Sequence, residues 1–150
     1  EDCILELSSS CSIDTGSIEI RGNVVVTGDS FSFILGGNGH TIASDSCLII
    51  DSGISLCLTP ANATDNFLSF DDDTSFLVLR GATLNIDENF KSKFSSNNVI
   101  LERGCSINTV RYGGSYNPIT ADTPGEVEFA NASIDIKEDL NIANMSMRLK

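Results

Sequence analysis

The residues of this 150-residue chain with the most chemistry to offer are few. They are the run Asp71-Asp72-Asp73, the single histidine His40, Arg80 and Arg103, and five cysteines. Paired carboxylates can act as acid and base toward a glycosidic bond. Calcium takes about six to eight oxygen ligands. Asp71, Asp72 and Asp73, with Asp51 from a neighbouring turn, could supply some of them. The same acids also read as turn residues, because Asp bonds its own main chain and tolerates left-handed backbone. His40 follows Gly36-Gly37-Asn38-Gly39. After such a run, a ring bonded to backbone at a structural turn is the expected role, rather than a general base. No catalytic residue is assigned on these spacings, and no cofactor is expected beyond calcium as the alternative reading of the aspartates.

Charge narrows the partners. The chain carries 9 Lys and Arg against 21 Asp and Glu, a net charge of −12. A nucleic-acid surface needs clustered cations, and these are scattered. Nucleic acid and an anionic membrane are therefore poor partners, and no apolar run is long enough to span a bilayer. A polyanionic substrate would be repelled unless calcium bridged it. Cys3, Cys11, Cys47, Cys57 and Cys105 are an odd number, with no Cys-x-x-Cys spacing that would suggest zinc. Small buried core residues are one reading. Disulfides Cys3–Cys11 or Cys47–Cys57 in an oxidising compartment are the other.

The elements that must position these residues are short strands. Alternation of period two appears in Ser17–Ile20, Val24–Val26, Ser30–Phe33, Ile54–Leu58, Phe76–Leu79, Val127–Phe129, Ile134–Ile136 and Met145–Met147. No segment carries a helical stripe, and strand is preferred for Lys137–Met147. The strands recur. Leu35, Leu58, Leu79 and Leu101 follow one another at nearly equal intervals, each leading into a turn. The polar turns 27–30, 51–53, 71–75 and 95–98 follow the same rhythm and are expected to occupy one corner of successive coils. A fixed period of this size means a solenoid, whose coils bury their apolar faces by stacking. The expected fold is all-β: a single parallel β-solenoid over residues 1–150, with about 22 residues per coil. With strands stacked about 4.8 Å apart, six or seven coils make a rod roughly 30 Å long. Such a chain is expected to be a segment of a longer repeat protein, or a subunit whose ends are covered by partners.

One stretch breaks the rhythm. Residues 111–125 hold both tyrosines and two of the three prolines, and the next matching strand end, Phe129, comes later after Leu101 than the period allows. The extra residues are expected to leave the coil as an inserted loop, and insertions in repeat proteins often form the binding face. Tyr112 and Tyr116 are therefore the candidate binding residues, for a protein or a sugar ring.

The segment Gly36-Gly37-Asn38-Gly39-His40-Thr41-Ile42 resembles a turn common in right-handed parallel β-helix proteins of the pectin-lyase-like superfamily. Leu79-Arg80-Gly81-Ala82-Thr83-Leu84 and Leu101–Ile107 are similar to the strand-turn-strand units of bacterial surface solenoids, including autotransporter-type passengers. The resemblance implies secreted or cell-surface placement and a role in adhesion, filament-like scaffolding or polysaccharide processing. Polygalacturonases of that fold use aspartates with a nearby Gly-His-Gly and an Arg-x-Lys. Here His40 precedes the aspartates and no Arg-x-Lys follows them. A pectate lyase would use an arginine placed like Arg80 or Arg103. The expectation is a non-enzymatic structural or adhesive element that binds a protein or glycan at a surface. Its open solenoid ends would allow self-association into filaments. A polysaccharide lyase or glycoside hydrolase is the alternative.

Overall fold

A computed structural model of the chain describes residues 2–60, 67–87, 91–94, 98–112, 118–120, 125–129, 135–136, 141–143 and 145–149. Side chains are described for 2–60, 67–86 and 98–108. Every regular element among these residues is a strand. The first coil is β1 (Asp2–Leu7), β2 (Cys11–Ile13) and β3 (Glu19–Ile20). The second is β4 (Asn23–Gly28), β5 (Phe31–Gly37) and β6 (His40–Ile42), and the third is β7 (Cys47–Ile50), β8 (Ile54–Pro60) and β9 (Leu68–Phe70). Next come β10 (Phe76–Leu79), β11 (Thr83–Asp87) and β12 (Lys91–Phe94), then β13 (Val99–Leu101), β14 (Ser106–Tyr112), β15 (Pro118–Thr120) and β16 (Gly125–Phe129). The chain closes with β17 (Asp135–Ile136), β18 (Asn141–Ala143) and β19 (Met145–Leu149).

The chain visits three faces in turn and stacks each strand on its counterpart one coil earlier. The first face is β1-β4-β7-β10-β13-β17, parallel throughout. The second is β2-β5-β8-β11-β14, with β18 also parallel to β14. The third strands form two sheets, β3-β6-β9 and β12-β16-β19. This is a parallel β-solenoid of about 4 turns with about 23 residues between turns.

Period-two alternation sends one set of side chains into a narrow apolar core. Val26, Leu48, Ile50, Leu77, Leu79, Val99 and Leu101 fill it from the first face, and Phe33, Leu35, Leu56, Leu58, Leu84, Ile86 and Ile107 from the second. A leucine fully buried in this way contributes about 1.5–3 kcal/mol. No coil could bury these side chains alone, which is why stacking and folding are one event.

The rhythm of the leucines conceals two faces. Leu35 pairs with Leu58 on the second face, whereas Leu79 pairs with Leu101 on the first. Leu58 is in register with Ile86, and Ile50 with Leu79, so the coil between them is longer than its neighbours. The expected step from Leu58 to Leu79 is thus a step between faces. The cause is a longer connection: two residues separate β5 from β6, but seven separate β8 from β9. The four polar turns divide likewise. Residues 27–30 and 51–53 join the first face to the second, while 71–75 join β9 to β10, a different corner. Of the fourth turn, 95–97 lie outside the described residues. Phe129 matches Phe94, not Leu101, whose partner is Ile136.

At the expected insertion the parallel pattern is interrupted. β14 runs to Tyr112, and β15 folds back antiparallel on it, pairing Arg111 with Ile119 and Tyr112 with Pro118. Residues 113–117 and 121–124 lie outside the described residues.

Candidate functional site

The histidine corner is built from the chain around β3, β5, β6 and β9. Gly37 ends β5 with φ +87° and stacks directly on Gly16 of the coil before it. A Cβ on Gly37 would stand 2.7 Å from the Gly16 carbonyl oxygen, so only glycine allows this approach. Asn38 and Gly39 make the turn itself, and Asn38 N–H donates to the Gly16 carbonyl at 3.4 Å. Gly36 lies in β5, and His40 opens β6.

The His40 side chain is 2% exposed. Its Nδ1 accepts the Ile18 backbone N–H at 3.2 Å, and its Nε2–H donates to the Gly36 carbonyl at 2.9 Å. An acceptor at Nδ1 and a donor at Nε2 define the neutral ring. The ring meets Phe67 edge to face at 5.1 Å, and His40 N–H donates to the Phe67 carbonyl at 2.7 Å. Burial holds the imidazole pKa below its ordinary value, opposed by the bond to Gly36. Both nitrogens are committed to backbone, so the ring ties adjacent coils together.

Asp71, Asp72 and Asp73 are exposed at the corner between β9 and β10. Asp72 organises that corner. Its carboxylate accepts from Thr74 N–H at 2.9 Å and from Thr74 Oγ1–H at 2.6 Å. Thr74 Oγ1 in turn accepts Asp45 N–H from the coil before at 2.7 Å. The Asp72 carbonyl takes Ser75 N–H at 3.2 Å, and Asn98 Nδ2–H of the following coil at 2.6 Å. Hydrogen bonds from Ser44 and then Thr74 hold the Asp72 carboxyl below the usual range. Asp51 belongs to the corner between β7 and β8, so the structure does not bring it to the other three. Among the described residues no three His, Cys, Asp or Glu side chains are grouped to hold a metal ion.

Arg80 sits on the same corner as Asp51. Its Nη1 is 3.9 Å from Asp51 Oδ1, and its Nε is 3.7 Å from Glu102 Oε2. The three residues form a ladder along successive coils, with acid on either side of the guanidinium. Arg103 is not the partner of Arg80. Leu79 is opposite Leu101, which puts Glu102 beside Arg80 and Arg103 beside Gly81. Arg80 and the run Asp71–Asp73 lie on different corners, at opposite ends of β10.

All five cysteines are thiols. Cys57 and Cys105 are buried, Cys11 and Cys47 half-buried, and Cys3 exposed. Burial raises the Cys47 and Cys105 pKa values, so neither is an activated thiolate. Of the two candidate tyrosines, Tyr112 ends β14, with only its backbone described, and Tyr116 lies outside the described residues.

A shallow groove of about 370 Å³ opens beside the first coils, lined by Glu6, Leu7, Thr27, Gly28, Asp29, Phe31 and Ser52. Sequence reasoning does not find it, since its walls come from three strands and two turns. The signal that could have located it is the register of β1 on β4, which places Glu6 beside Thr27.

The fold and these corners define a parallel β-solenoid whose singled-out polar side chains are bonded mainly to its own backbone and neighbouring turns. No known protein family, characterised protein or solved structure matches the chain.

Proposed function

We propose that this chain is a structural or adhesive β-solenoid element of a secreted or cell-surface protein, of the pectin-lyase-like β-helix kind and similar in character to bacterial surface solenoids. It presents its lateral surface to a protein or glycan and can associate end to end through its strand edges. It is not proposed as an enzyme. The observation that carries this reading is the use made of the candidate groups. His40 bonds Ile18 and Gly36, Asp72 builds a turn, and Arg80 lies between Asp51 and Glu102. His40 and Asp72 bond to the coil before them, and Arg80 lies among acids of the coils on either side, so these groups are engaged within the scaffold itself. The edge strand β1 supports association. It is the edge of the first face among the described strands, its Cys3, Ile4 and Leu5 are exposed, with Ile4 at 73%, and a parallel edge can take a further strand.

Light scattering and negative-stain microscopy at rising concentration, with and without reductant, test the reading. Rods that lengthen with concentration are expected. A 16.0 kDa monomer at every concentration would remove end-to-end association and leave only the lateral faces to act.

A further inference from the structure

The outward side of the first face carries an aligned apolar column. Register places Ile4 opposite Val25, Val25 opposite Ile49, Ile49 opposite Val78 and Val78 opposite Ile100. From β4 to β13 their neighbours in sequence point into the core, so the column points away from it. Ile4 is 73% exposed, Val25, Ile49 and Ile100 are half-buried, and Val78 is buried among the rest. At about 4.8 Å per strand, the column is a ridge roughly 20 Å long. Hydrogen bonding within the sheet does not require aliphatic residues there, and water would favour polar ones. The strip is open to solvent at Ile4 and in part at Val25, Ile49 and Ile100, and contiguous apolar surface marks an interaction site more often than a scattered residue does.

The surroundings of the ridge select the occupant. Of the eleven Asp and Glu with described side chains, all but Asp14 and Glu19 lie on this face or at the two corners that bound it. Glu6, Asp29, Asp51 and Glu102 stand on one long side. Asp45, Asp71, Asp72 and Asp73 stand on the other, with Asp2 at the near end. Among the described side chains only Arg21, Arg80 and Arg103 oppose them, and Arg80 is already flanked by Asp51 and Glu102. The groove of about 370 Å³ adjoins the same end and has Glu6 and Asp29 in its wall. A second copy of this chain would bring like charge against like charge.

We propose that this face binds a basic, amphipathic extended segment of a partner protein, whose aliphatic residues lie along the Ile4–Ile100 ridge, with lysines or arginines reaching the acids on both sides. The proposal rests on the fold and on the lateral-surface part of the reading above, and is independent of end-to-end association.

The test uses the whole 150-residue chain and three capped peptides: alternating Lys-Val, alternating Glu-Val, and an oligolysine of the same charge as the first. Binding is read by calorimetry at two salt concentrations. The Lys-Val peptide is expected to bind about tenfold more tightly than oligolysine, and the Glu-Val peptide not to bind. Val25→Thr with Ile49→Thr keeps the β-branched shape and removes the apolar surface. It should lower Lys-Val affinity to the oligolysine level and leave oligolysine binding unchanged. Circular dichroism melting confirms that the variant is folded, and the oligolysine arm holds independently of it. Equal binding of the two basic peptides, or a variant that binds Lys-Val like the parent, overturns the proposal. So does a dimer in sedimentation that the variant abolishes, which would give the face to a second copy. If rods form while no peptide binds, this inference fails and the scaffold reading stands. If Lys-Val binds to a monomer, end-to-end association fails alone.

Discussion

His40 Nδ1 accepts the backbone N–H of Ile18 across one coil at 3.2 Å. A protonated ring carries hydrogen on both nitrogens and cannot accept, so protonation removes this bond and places a charge at a 2% exposed position. Among the described residues, the elements packed around the ring bring Glu19 on β3, exposed, and Asp14 ahead of Gly16; β5 and β9 carry no charged group.

The folded-state pKa of His40 therefore lies below 6.5, and the unfolded chain binds the proton more readily. The stabilisation is fully present above pH 6.5 and is lost as pH falls through the folded-state value. The melting temperature is expected to decline on acidification below pH 6.5. His40→Gln should lower stability at neutral pH and flatten that decline. A parent and variant with parallel pH profiles would refute the assignment.

Gly16 and Gly37 have nearly the same backbone, φ +84° and +87°, but different surroundings. Nothing lies within 4 Å of a Cβ on Gly16, whereas one on Gly37 meets the Gly16 carbonyl at 2.7 Å. Gly16→Ala should cost about 1–2 kcal/mol, the left-handed penalty alone. Gly37→Ala adds a backbone collision and should cost about 3 kcal/mol or more. Urea denaturation of the two variants measures the difference.

Arg80 is a surface residue whose ion pairs are long, 3.9 Å to Asp51 and 3.7 Å to Glu102. Arg80→Gln should change stability by less than about 1 kcal/mol, with the effect shrinking as salt is added. A loss several times larger in a denaturation curve would show that the ladder holds the corner together.

Thiol accessibility follows coil position. Cys3 should react with a maleimide first in the native chain, ahead of the half-buried Cys11 and Cys47. Cys57 and Cys105 should react only on unfolding, Cys105 further slowed by its raised pKa. Mass spectrometry of timed digests gives the order. Early labelling of Cys105 would mean that the corner at Leu79, whose carbonyl accepts its Sγ–H at 2.9 Å, opens readily.

Leucine column, turn residues and His40 show how far local signals reach. Alternation in Phe31–Leu35, Ile54–Leu58 and Phe76–Leu79 makes these segments strands whatever surrounds them, because side-chain period and turn chemistry are properties of a few consecutive residues. An all-β solenoid followed from these strands together with their regular recurrence, and a backbone-bonded role for His40 from the run Gly36–Gly39 before it. What strand lies on what strand was decided only in three dimensions. Each coil offers three apolar stretches of similar length, so the step from Leu58 to Leu79 mimics a repeat while crossing from one face to another. The seven residues between β8 and β9, against two between β5 and β6, set the true register. That register separates Asp51 from Asp71–Asp73 and gives it to Arg80, puts Glu102 rather than Arg103 beside Arg80, and aligns Ile4, Val25, Ile49, Val78 and Ile100. Core burial enforces it, since a slip of one residue would turn Leu48, Leu77 and Val99 out to water.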